Sequence, residues 1–319
     1  MTRRLTLGLV GARGHVGKEL LAILARHPRL EVAFVVSRSH AGQPVGQPLA
    51  GAAAGDLVFE DLGPAAVAER GADAVVLALA NDQAAPYVAA LDGPSPRAVI
   101  VDVSADHRFD DAWCYGLPEI GRDRLRGARR IANPGCYATA TALSLAPVAD
   151  LLDGPAQVFG VSGYSGAGAT PSPRNDVEAL RDNLMPYGLV GHVHEREVAR
   201  HVAPVWLMPH VAPFFRGLTV TVSLTLREPL TRQALKDRYV AAYGAEPLVT
   251  LTDDIPLVRA AAHRPHATLG GFAADPASRR AVVVATLDNL LKGAASQAVQ
   301  NLNLALGFPE LTGLDPWPS

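Results

Sequence analysis

Cysteine is scarce in this chain: it occurs twice in 319 residues, as Cys114 and Cys136. Two cysteines cannot form a disulfide framework, and such sparing use is typical of the reducing cytosol. Long hydrophobic runs are also missing, so no segment is predicted to span a membrane, and the apolar N-terminal segment is too short for a secretory signal. These absences predict a cytoplasmic protein that does not associate with a membrane.

An excess of charge of either sign is likewise missing, because 29 Lys and Arg residues stand against 31 Asp and Glu residues and the net charge is −2. A nucleic-acid partner is therefore not predicted, since it would require a basic surface. The ten histidines form no His-rich tract. The pair His192 and His194 lacks third and fourth ligands at a recognisable spacing, so no metal site is predicted.

The N-terminal segment has the pattern of a nucleotide-binding fold. The apolar run LTLGLV is typical of a buried parallel strand, and a glycine-rich turn and an amphipathic helix follow it. The spacing G-x-x-G-x-x-G departs by one residue from the G-x-G-x-x-G fingerprint, but it lies between strand and helix, as that motif requires. Glycines there let the backbone approach a pyrophosphate at the helix N-terminus; a tight turn without a ligand is the alternative. The residues predicted to contact a dinucleotide are Gly11, Arg13, Gly14, His15, Val16 and Gly17.

The end of the second predicted strand indicates which dinucleotide is used. NAD-specific folds place an acidic residue there to bind the ribose 2′-hydroxyl. This chain has Ser37, Arg38 and Ser39 instead. A guanidinium is a planar donor suited to phosphate, so NADP(H) is the predicted cofactor. A solvent-exposed arginine without a ligand is the alternative.

Further apolar segments alternate with helical or loop spacers and predict a doubly wound parallel sheet. The predicted strands cover residues 73–80, 98–104 and 129–135. Ligands of such sheets bind beyond the carboxyl ends of the strands. Asn81, Ser104 and Cys136 follow these ends directly, and we expect Ser104 to contact the cofactor.

Cys136 also begins a run of small, helix-compatible residues after a Pro-Gly pair. A thiol at a helix N-terminus feels the positive end of the helix dipole, which favours the nucleophilic thiolate. Packing as a small buried hydrophobe is the alternative. The position beyond a strand end favours a catalytic Cys136, whereas Cys114, between Trp113 and Tyr115, is interpreted as a packing residue.

The second half of the chain has a different, α+β pattern. Polar and apolar residues alternate strictly over 217–226, which predicts an antiparallel strand, and a helix with a Thr cap is predicted over 231–244. The segments ATLGGFAADP and RRAVVVATLDN predict a hairpin. A final helix rich in small residues is expected to pack back on the first domain. The predicted division is a nucleotide-binding domain over 1–136, completed by 290–319, and an α+β domain over 137–289.

Several short motifs occur together in one order along nearly the whole chain. They are GARGHVGKELL, SRSHAGQPV, SADHR, YGLPE, NPGCYATA, SGYSGAG, GHVHE, PHVAPFFRG and DNLLKGAASQAVQ. Jointly they resemble the N-acetyl-γ-glutamyl-phosphate reductases, a family similar to aspartate-semialdehyde dehydrogenase and, more remotely, to glyceraldehyde-phosphate dehydrogenase.

The resemblance implies a Rossmann-type α/β domain followed by an α+β catalytic and dimerisation domain, with a homodimer or homotetramer as the assembly. It also implies an activity in arginine biosynthesis: NADPH-dependent reduction of N-acetyl-γ-glutamyl phosphate, a small acyl phosphate, to N-acetylglutamate 5-semialdehyde. The reaction would proceed through a cysteine thioester, and the motif NPGCY implies Cys136 as its nucleophile.

The segment HVHERE resembles the family's H-R-H-x-P-E, with Val193 in place of the Arg and with Glu195 to Glu197 interpreted as shifted. His194 is predicted as the general acid/base, since an imidazole titrates near neutral pH. His192 is predicted to help hold the substrate, and the two roles could be exchanged. If the segment is extended, the two side chains point to opposite sides. His210, expected in a loop, is a further candidate base.

The remaining site residues are also implied by the resemblance. The loop SGYSGAG would place Ser165, Gly166 and Ala167 against nicotinamide and substrate, although Ala169 and Thr170 stand where the family has Arg. Arg108 and Arg216 are then the candidate cations for substrate phosphate or carboxylate, with structural ion pairing as the alternative. Asn289 resembles the residue that binds the nicotinamide carboxamide, and a helix-start cap is its alternative.

Three other functions compete with this one. A lysine-pathway reductase of the one-carbon-longer N-acyl-aminoadipyl phosphate differs by one methylene, which sequence spacing cannot measure. The interval from Cys136 to His194 argues against aspartate-semialdehyde dehydrogenase, whose histidine lies much farther along. A non-catalytic NADP-binding redox sensor would explain the glycine turn and Arg38 but would leave the histidine pair without a role.

Overall fold

The computed structural model of the chain describes residues 3–46, 57–93 and 97–314 and separates them into two units. The first unit comprises the described residues up to Pro134 and those from Ala294 onward, and the second comprises Gly135–Gly293. The sequence-based division ended the first domain at residue 136, whereas the structure assigns Cys136 to the second unit. No helix in the described ranges is long and apolar enough to cross a membrane.

A seven-stranded parallel sheet forms the centre of the first unit. Its strands are β1 (Leu5–Val10), β2 (Leu30–Val36), β3 (Phe59–Glu60), β4 (Ala74–Leu77), β5 (Val99–Asp102), β6 (Cys114–Tyr115) and β7 (Arg130–Ala132). They lie in the order β3-β2-β1-β4-β5-β7-β6, and all neighbours are parallel. The strand order changes direction between β1 and β4, which is the switch point of a doubly wound sheet. The predicted Rossmann-type fold is confirmed.

Within the described residues of the first unit, four helices connect these strands. They are α1 (His15–Leu24), α2 (Pro64–Glu69), α3 (Ala85–Leu91) and α4 (Pro118–Leu125). Every residue of β4 and of β5 is buried, as expected of parallel strands that are covered on both faces. This explains why both strands are continuous apolar runs in the sequence rather than alternating ones.

The C-terminal helix belongs to the first unit but is less amphipathic than its sequence suggests. This helix, residues Ser296–Ala305, packs against α1, α4 and β5, and all of its residues are buried. Its buried amides bond to backbone and side-chain groups: Gln297 Nε2 and Asn301 Nδ2 both donate to the Gly116 carbonyl, at 2.9 and 2.8 Å. Buried amides are tolerated when they are hydrogen-bonded. The polar residues of this helix therefore do not form a solvent-exposed face.

A mixed seven-stranded sheet forms the second unit. Its strands are β8 (Ala156–Gly163), β9 (Met185–Pro186), β10 (Val205–Ala212), β11 (Leu218–Thr225), β12 (Val249–Leu251), β13 (Ala267–Asp275) and β14 (Arg280–Leu287), in the order β12-β13-β14-β11-β8-β10-β9. The helices are α5 (Cys136–Leu145), α6 (Val177–Leu180), α7 (Val193–His201), α8 (Arg232–Tyr243) and α9 (Val258–Ala261); the C-terminal helix is α10. Helices α5, α7 and α8 pack against the sheet.

The local predictions for this unit are confirmed. Strand β11 pairs antiparallel with β14 and β8, and its apolar residues are buried while Thr221 and Thr225 are exposed. Strands β13 and β14 form the predicted antiparallel hairpin. Helix α8 begins after Thr231, whose side-chain oxygen accepts the Ala234 N–H at 3.2 Å. The second half therefore has the α+β fold that its alternating pattern indicates.

Candidate active site

Cys136 is the first residue of α5 and follows the N-cap Gly135. Its side chain is half-buried. Gly293, in a π-helical turn over Leu291–Ala295, lies against it, because a Cβ at position 293 would come within 2.7 Å of the Cys136 Cβ. Any side chain at position 293 would therefore collide with the side chain of Cys136. Single π-turns of this kind occur frequently at functional sites.

A buried carboxylate joins the helix of the cysteine to the helix of the histidines. Glu197, on α7, is completely buried, and its Oε1 accepts the N–H of Gly135 at 3.0 Å. Counted from His192, Glu197 is the sixth residue, which is the place of the Glu in H-R-H-x-P-E. The interpretation of Glu195 to Glu197 as shifted is therefore wrong. The carboxylate also lies at the positive end of α5, where a negative charge is stabilised.

The two histidines lie at the start of α7 and not on an extended segment. His192 is the N-cap, and its Nδ1 accepts the backbone N–H of His194 at 3.2 Å. The two rings are 4.9 Å apart, and they lie 6.5 Å and 6.1 Å from the ring of Tyr137. The expectation that the side chains point to opposite sides is wrong, because a turn of helix brings them to the same cluster.

The capping bond determines which proton His192 can carry. Because Nδ1 accepts a hydrogen bond, the neutral ring holds its proton on Nε2 and can only donate from there. Burial lowers the pKa of His192, the positive charge of Arg174 lowers it further, and Glu195 acts in the opposite direction. His192 is thus held as a neutral donor, which suits binding of a substrate oxygen better than proton abstraction.

Two tyrosines border the cysteine. Burial raises the pKa of Tyr137 far above its usual range, and the negative charges of Tyr187 and Cys136 add to the effect. Burial also raises the pKa of Tyr187, again with a contribution from Cys136. Tyr137 donates its hydroxyl hydrogen to the His210 carbonyl at 2.7 Å, and Tyr187 stacks edge-on to His192 at 5.5 Å. Both hydroxyls therefore stay protonated beside the thiol.

His210 lies in strand β10 and not in a loop, which corrects that expectation. Its Nδ1 is 3.0 Å from the Met208 carbonyl oxygen, and its ring lies 4.4 Å from that of Phe159. Only its backbone carbonyl reaches Tyr137. This position does not favour His210 as the base.

The second glycine-rich loop and Asn289 are brought together. Asn289 is almost completely buried; its Oδ1 accepts the Gly217 N–H at 2.7 Å, and its Nδ2 donates to Ser165 Oγ at 2.9 Å. Gly166 and Ala167 belong to the same short turn as Ser165, over Tyr164–Ala167. The cap of the following turn is Asp288, whose Oδ1 accepts the Leu290 N–H. Asn289 is therefore not the helix-start cap.

Each of the two candidate substrate-binding arginines makes structural contacts within its own unit. Arg216, in the second unit, has its Nη1 3.4 Å from the carboxylate of the buried Asp288 and 2.7 Å from Nδ1 of His263. Arg108, in the first unit, is buried and donates to the carbonyls of Val103 and Asn133, both at 2.9 Å. These bonds give both arginines a role in holding loops.

The first glycine turn has the geometry that a dinucleotide requires. Gly11 has a φ of +85°, and a Cβ there would lie 2.3 Å from the Ala78 carbonyl oxygen. A Cβ at Gly17 would lie 2.5 Å from the Ala12 carbonyl oxygen, whereas a Cβ at Gly14 would point into space with no non-neighbouring atom within 4 Å. Gly14 is the N-cap of α1 and supplies no side-chain cap. The turn, the open approach and the close helix packing are the three roles of glycine in a dinucleotide fingerprint.

The residues after β2 fit a phosphate beside that turn. Arg38 begins a short turn over Arg38–His40, its side chain is 91% exposed, and its partner Asp61 is 3.6 Å away and half exposed. Arg13, from the glycine turn, approaches the hydroxyl of Ser39 at 3.5 Å. Two guanidinium groups therefore border this surface. The buried Ser37 lies next to it.

Ser104 is held at the end of β5. Its hydroxyl donates to Asp102 Oδ2 at 2.9 Å and accepts the Asp106 N–H at 3.1 Å. The packing residue Cys114 is half-buried, and its Sγ donates to the Arg124 carbonyl. In the described ranges, no group of three or more His, Cys, Asp or Glu side chains is placed to hold a metal ion.

Cys136, Tyr137, His192 and His194, with the residues that contact them, are here called the cysteine cluster. Sequence reasoning missed three residues of this cluster. Glu197 could have been found by counting the H-R-H-x-P-E spacing correctly. Tyr187 and Arg174 belong to no quoted motif. Tyr187 packs edge-on against His192, and the Arg174 guanidinium lies over the Tyr187 ring at 5.0 Å from its centroid.

Comparison with known proteins gives the family. A model described as "semialdehyde dehydrogenase, NAD binding domain" matches residues 6–128, and one described as "semialdehyde dehydrogenase, dimerisation domain" matches residues 136–289. Among solved structures, aspartate semialdehyde dehydrogenase II of Vibrio cholerae superposes with a TM-score of 0.77 over 96% of this chain and 99% of that one, at 18% identity. The Candida albicans enzyme, solved with NADP, has a TM-score of 0.73 at 15% identity over 95% and 99% of the two chains. These structures share the fold.

Sequence relatives are much more similar. N-acetyl-γ-glutamyl-phosphate reductase of Stenotrophomonas maltophilia is 57% identical over 97% of this chain and 98% of its own length. The proteins of that name from Xanthomonas axonopodis and Xylella fastidiosa are each 54% identical, over 97% and 100% of this chain and 98% and 97% of their own lengths. The chain belongs to the N-acetyl-γ-glutamyl-phosphate reductase family of NAD(P)-dependent oxidoreductases, as its motifs indicated.

Proposed function

We propose that the protein reduces N-acetyl-γ-glutamyl phosphate to N-acetylglutamate 5-semialdehyde with NADPH and releases phosphate. The observation that carries the proposal is the cluster of Cys136, His192 and His194 at the facing starts of α5 and α7, joined by Glu197. A nucleophile at a helix N-terminus, a nearby imidazole and a carboxylate that connects their helices are the parts that acyl transfer to sulfur requires.

In the proposed mechanism the Cys136 thiolate attacks the acyl carbon and phosphate departs, which leaves a thioester on Sγ. His194 moves the proton at the sulfur and, later, at the carbonyl oxygen. His192 donates its Nε2 hydrogen to a substrate oxygen, because its Nδ1 is engaged with the backbone. The residues of the first glycine turn, with Arg13 and Arg38, would hold NADPH, which when bound would supply the hydride that reduces the thioester and would leave as NADP⁺. Collapse of the resulting thiohemiacetal gives the aldehyde and restores the thiol.

A role for Asn289 and Ser165 follows from their mutual hydrogen bond. The bond holds the turn that carries Gly166 and Ala167 next to Gly217. We propose that this turn borders the nicotinamide and the substrate. Ser104, with its hydroxyl bound to Asp102, shapes the end of β5 in the first unit and is proposed to border the cofactor there.

The assay that tests the function runs in the reverse direction. With N-acetylglutamate 5-semialdehyde, the wild type should reduce NADP only when phosphate is present, and the one-carbon-longer homologue should react more slowly. Cys136→Ser should abolish this turnover while NADPH binding, followed by fluorescence, persists, since the first unit is unaltered. A preference for the longer aldehyde would indicate the aminoadipyl reductase, and NADPH binding without turnover by the wild type would indicate a sensor.

The thioester itself is accessible to mass spectrometry. Incubation with the acyl phosphate in the absence of NADPH should add an acyl group to the peptide that contains Cys136. Cys114→Ser is the matched control and should retain both adduct and activity. An adduct on Cys114 would contradict the assignment.

His194→Asn should lower kcat by roughly 10²- to 10⁴-fold, with a smaller change in KM, as for the loss of a general acid/base. His192→Asn is the matched control, because Asn also caps helices and so preserves the start of α7. This control should raise KM and keep most of kcat. A pH–rate profile for both variants separates the roles: if His192→Asn removes a titrating limb that His194→Asn retains, the two assignments are exchanged.

Arg38→Ala should raise the KM for NADPH about 10-fold or more, since a charge-assisted bond to the 2′-phosphate is lost, and should leave the KM for NADH nearly unchanged. Arg126→Ala is the matched control, because Arg126 is an exposed arginine of the same unit, also 3.6 Å from an exposed carboxylate. Equal effects of Arg38→Ala on the two cofactors would exclude contact with the 2′-phosphate.

We further propose that the protein is a homodimer and that two copies meet through the mixed seven-stranded sheet of the second unit. Helices α5, α7 and α8 pack on the sheet, and residues that alternate with the buried ones point away from its packed face. Among these, Phe159 is 42% and Trp206 57% exposed. Large exposed aromatics are typical of an interface. The match of this unit to a dimerisation domain supports a second copy as the partner.

Trp206→Glu should convert the dimer to a monomer in sedimentation velocity, because a charge would be buried in the proposed interface. Val240→Glu is the control: Val240 is 47% exposed on helix α8 and should leave the assembly intact. A dimer that survives Trp206→Glu would place the interface elsewhere.

A further inference from the structure

The proposed substrate has two anionic groups, a phosphate on the reacting carbon and a carboxylate at the other end of its carbon chain. Anions that leave water require cations or hydrogen-bond donors. The two arginines selected from the sequence are engaged elsewhere: Arg216 pairs with Asp288, and Arg108 bonds to backbone carbonyls of the first unit. Both arginines thus have structural partners, and the second unit offers a further cation for the carboxylate.

Arg174 lies beside the cysteine cluster. Its guanidinium carbon is 5.0 Å from the centroid of the Tyr187 ring, the Tyr187 ring is 5.5 Å from that of His192, and His192 is 4.9 Å from His194. The arginine thus stands at the end of a row of rings that begins next to Cys136. It is close enough that its charge contributes to the lowered pKa of His192.

The arginine is free to bind a ligand. Arg174 is exposed, and in the part of the chain that the structure describes no carboxylate lies within ion-pair distance of it. Stacking on an aromatic face restricts a guanidinium without using its hydrogen-bond donors. All five donors thus remain available for a planar anion such as a carboxylate.

The backbone around Arg174 is held to the second glycine-rich loop. Arg174 lies in a short turn over Pro173–Asn175 that is closed by a capping box between Ser172 and Asn175. Asn175 Nδ2 also donates to the carbonyls of Gly168 and Thr170, both at 2.8 Å. The loop has no arginine at positions 169 or 170. The bonds of Asn175 hold the turn that carries Arg174 next to this loop, so Arg174 is the arginine that borders it.

The position of Arg174 in the row selects between the two anions. The phosphate is bonded to the carbon that Cys136 attacks, so it lies next to the sulfur. The ring of Tyr187, which borders the cysteine, lies between Arg174 and Cys136, and this separation suits the remote anion. Resting on the proposed function, we propose that Arg174 binds the α-carboxylate of the acyl-phosphate substrate and of its aldehyde product, held for this over the ring of Tyr187.

The test uses the reverse reaction, in which aldehyde and phosphate are varied separately. Arg174→Ala should raise the KM for N-acetylglutamate 5-semialdehyde by about 10- to 100-fold, the loss expected of a hydrogen-bonded ion pair, and should leave the KM for phosphate unchanged. Arg174→Lys should recover part of the loss, because it restores the charge without the planar fork. Arg181→Ala is the matched control, as Arg181 is an exposed arginine of the same segment paired with Glu178.

A substrate variant checks the same contact from the other side. The aldehyde with its α-carboxylate replaced by a carboxamide should be a poor substrate of the wild type, and Arg174→Ala should lose this preference for the acid. An unchanged aldehyde KM, or a raised KM for phosphate alone, in the Arg174→Ala protein would overturn the inference while leaving the proposed function intact. A wild type that does not use this aldehyde at all would overturn the proposed function and the inference with it.

Discussion

The hydrogen bond from the Gly135 N–H to the Glu197 carboxylate joins the two helices that carry the reactive side chains. A completely buried carboxylate is unfavourable unless hydrogen bonds and charge compensate it. Here the compensation includes the amino end of α5, which is also the end that favours a thiolate on Cys136. Glu197 lies one helical turn after His194, so the contact that holds α7 also sets the distance between the sulfur and the proposed base.

The protonation state of the cluster follows from how its groups are hydrogen-bonded and buried. The Nδ1 of His192 accepts the hydrogen bond that caps the helix, so the one hydrogen that its neutral ring can donate is on Nε2. Tyr137 and Tyr187 keep their hydroxyl hydrogens because burial raises the pKa of both. His192, Tyr137 and Tyr187 are therefore all protonated donors near neutral pH. This leaves His194 as the histidine of the cluster best suited to exchange protons, and it explains why two adjacent histidines need not share one role.

Local periodicity made most of the fold predictable. Strand β11 and the Thr231 cap of α8 depend on neighbours in sequence, and both were found. The start of α7 was not, because histidine is not among the usual capping residues and the segment HVHERE has no other helix signal. The hydrogen bond of Asn289 to Ser165 is likewise not predictable from local pattern, since Ser165 is distant in sequence and the adjacent Asp288 supplies the cap.

The residues of the candidate site also differ in whether their positions depend on sequence neighbours or on distant contacts. Cys136, His192 and His194 stand in motifs that resemble those of the family, and the structure brings them together in the second unit. Arg174 lies in a turn that Asn175 holds to the second glycine-rich loop, so no spacing rule connects it with Tyr187. A residue can be predicted from sequence when its chemistry depends on chain neighbours. It is missed when its position depends on a loop whose conformation is set by hydrogen bonds from other side chains.

Chain-length selectivity follows from the same arrangement. An apolar pocket distinguishes one methylene by only about 1–3 kcal/mol. A substrate fixed at both ends is more constrained, because its acyl carbon must reach Cys136 while its carboxylate reaches Arg174. An extra methylene must then buckle, or one of the two charged contacts must lengthen, and weakening a hydrogen bond to a charged group costs about 1.5–3 kcal/mol in addition. With Arg174 as the proposed partner of the carboxylate, the distance between the thiol and the guanidinium adds to the shape of the pocket in selecting glutamyl over aminoadipyl substrates.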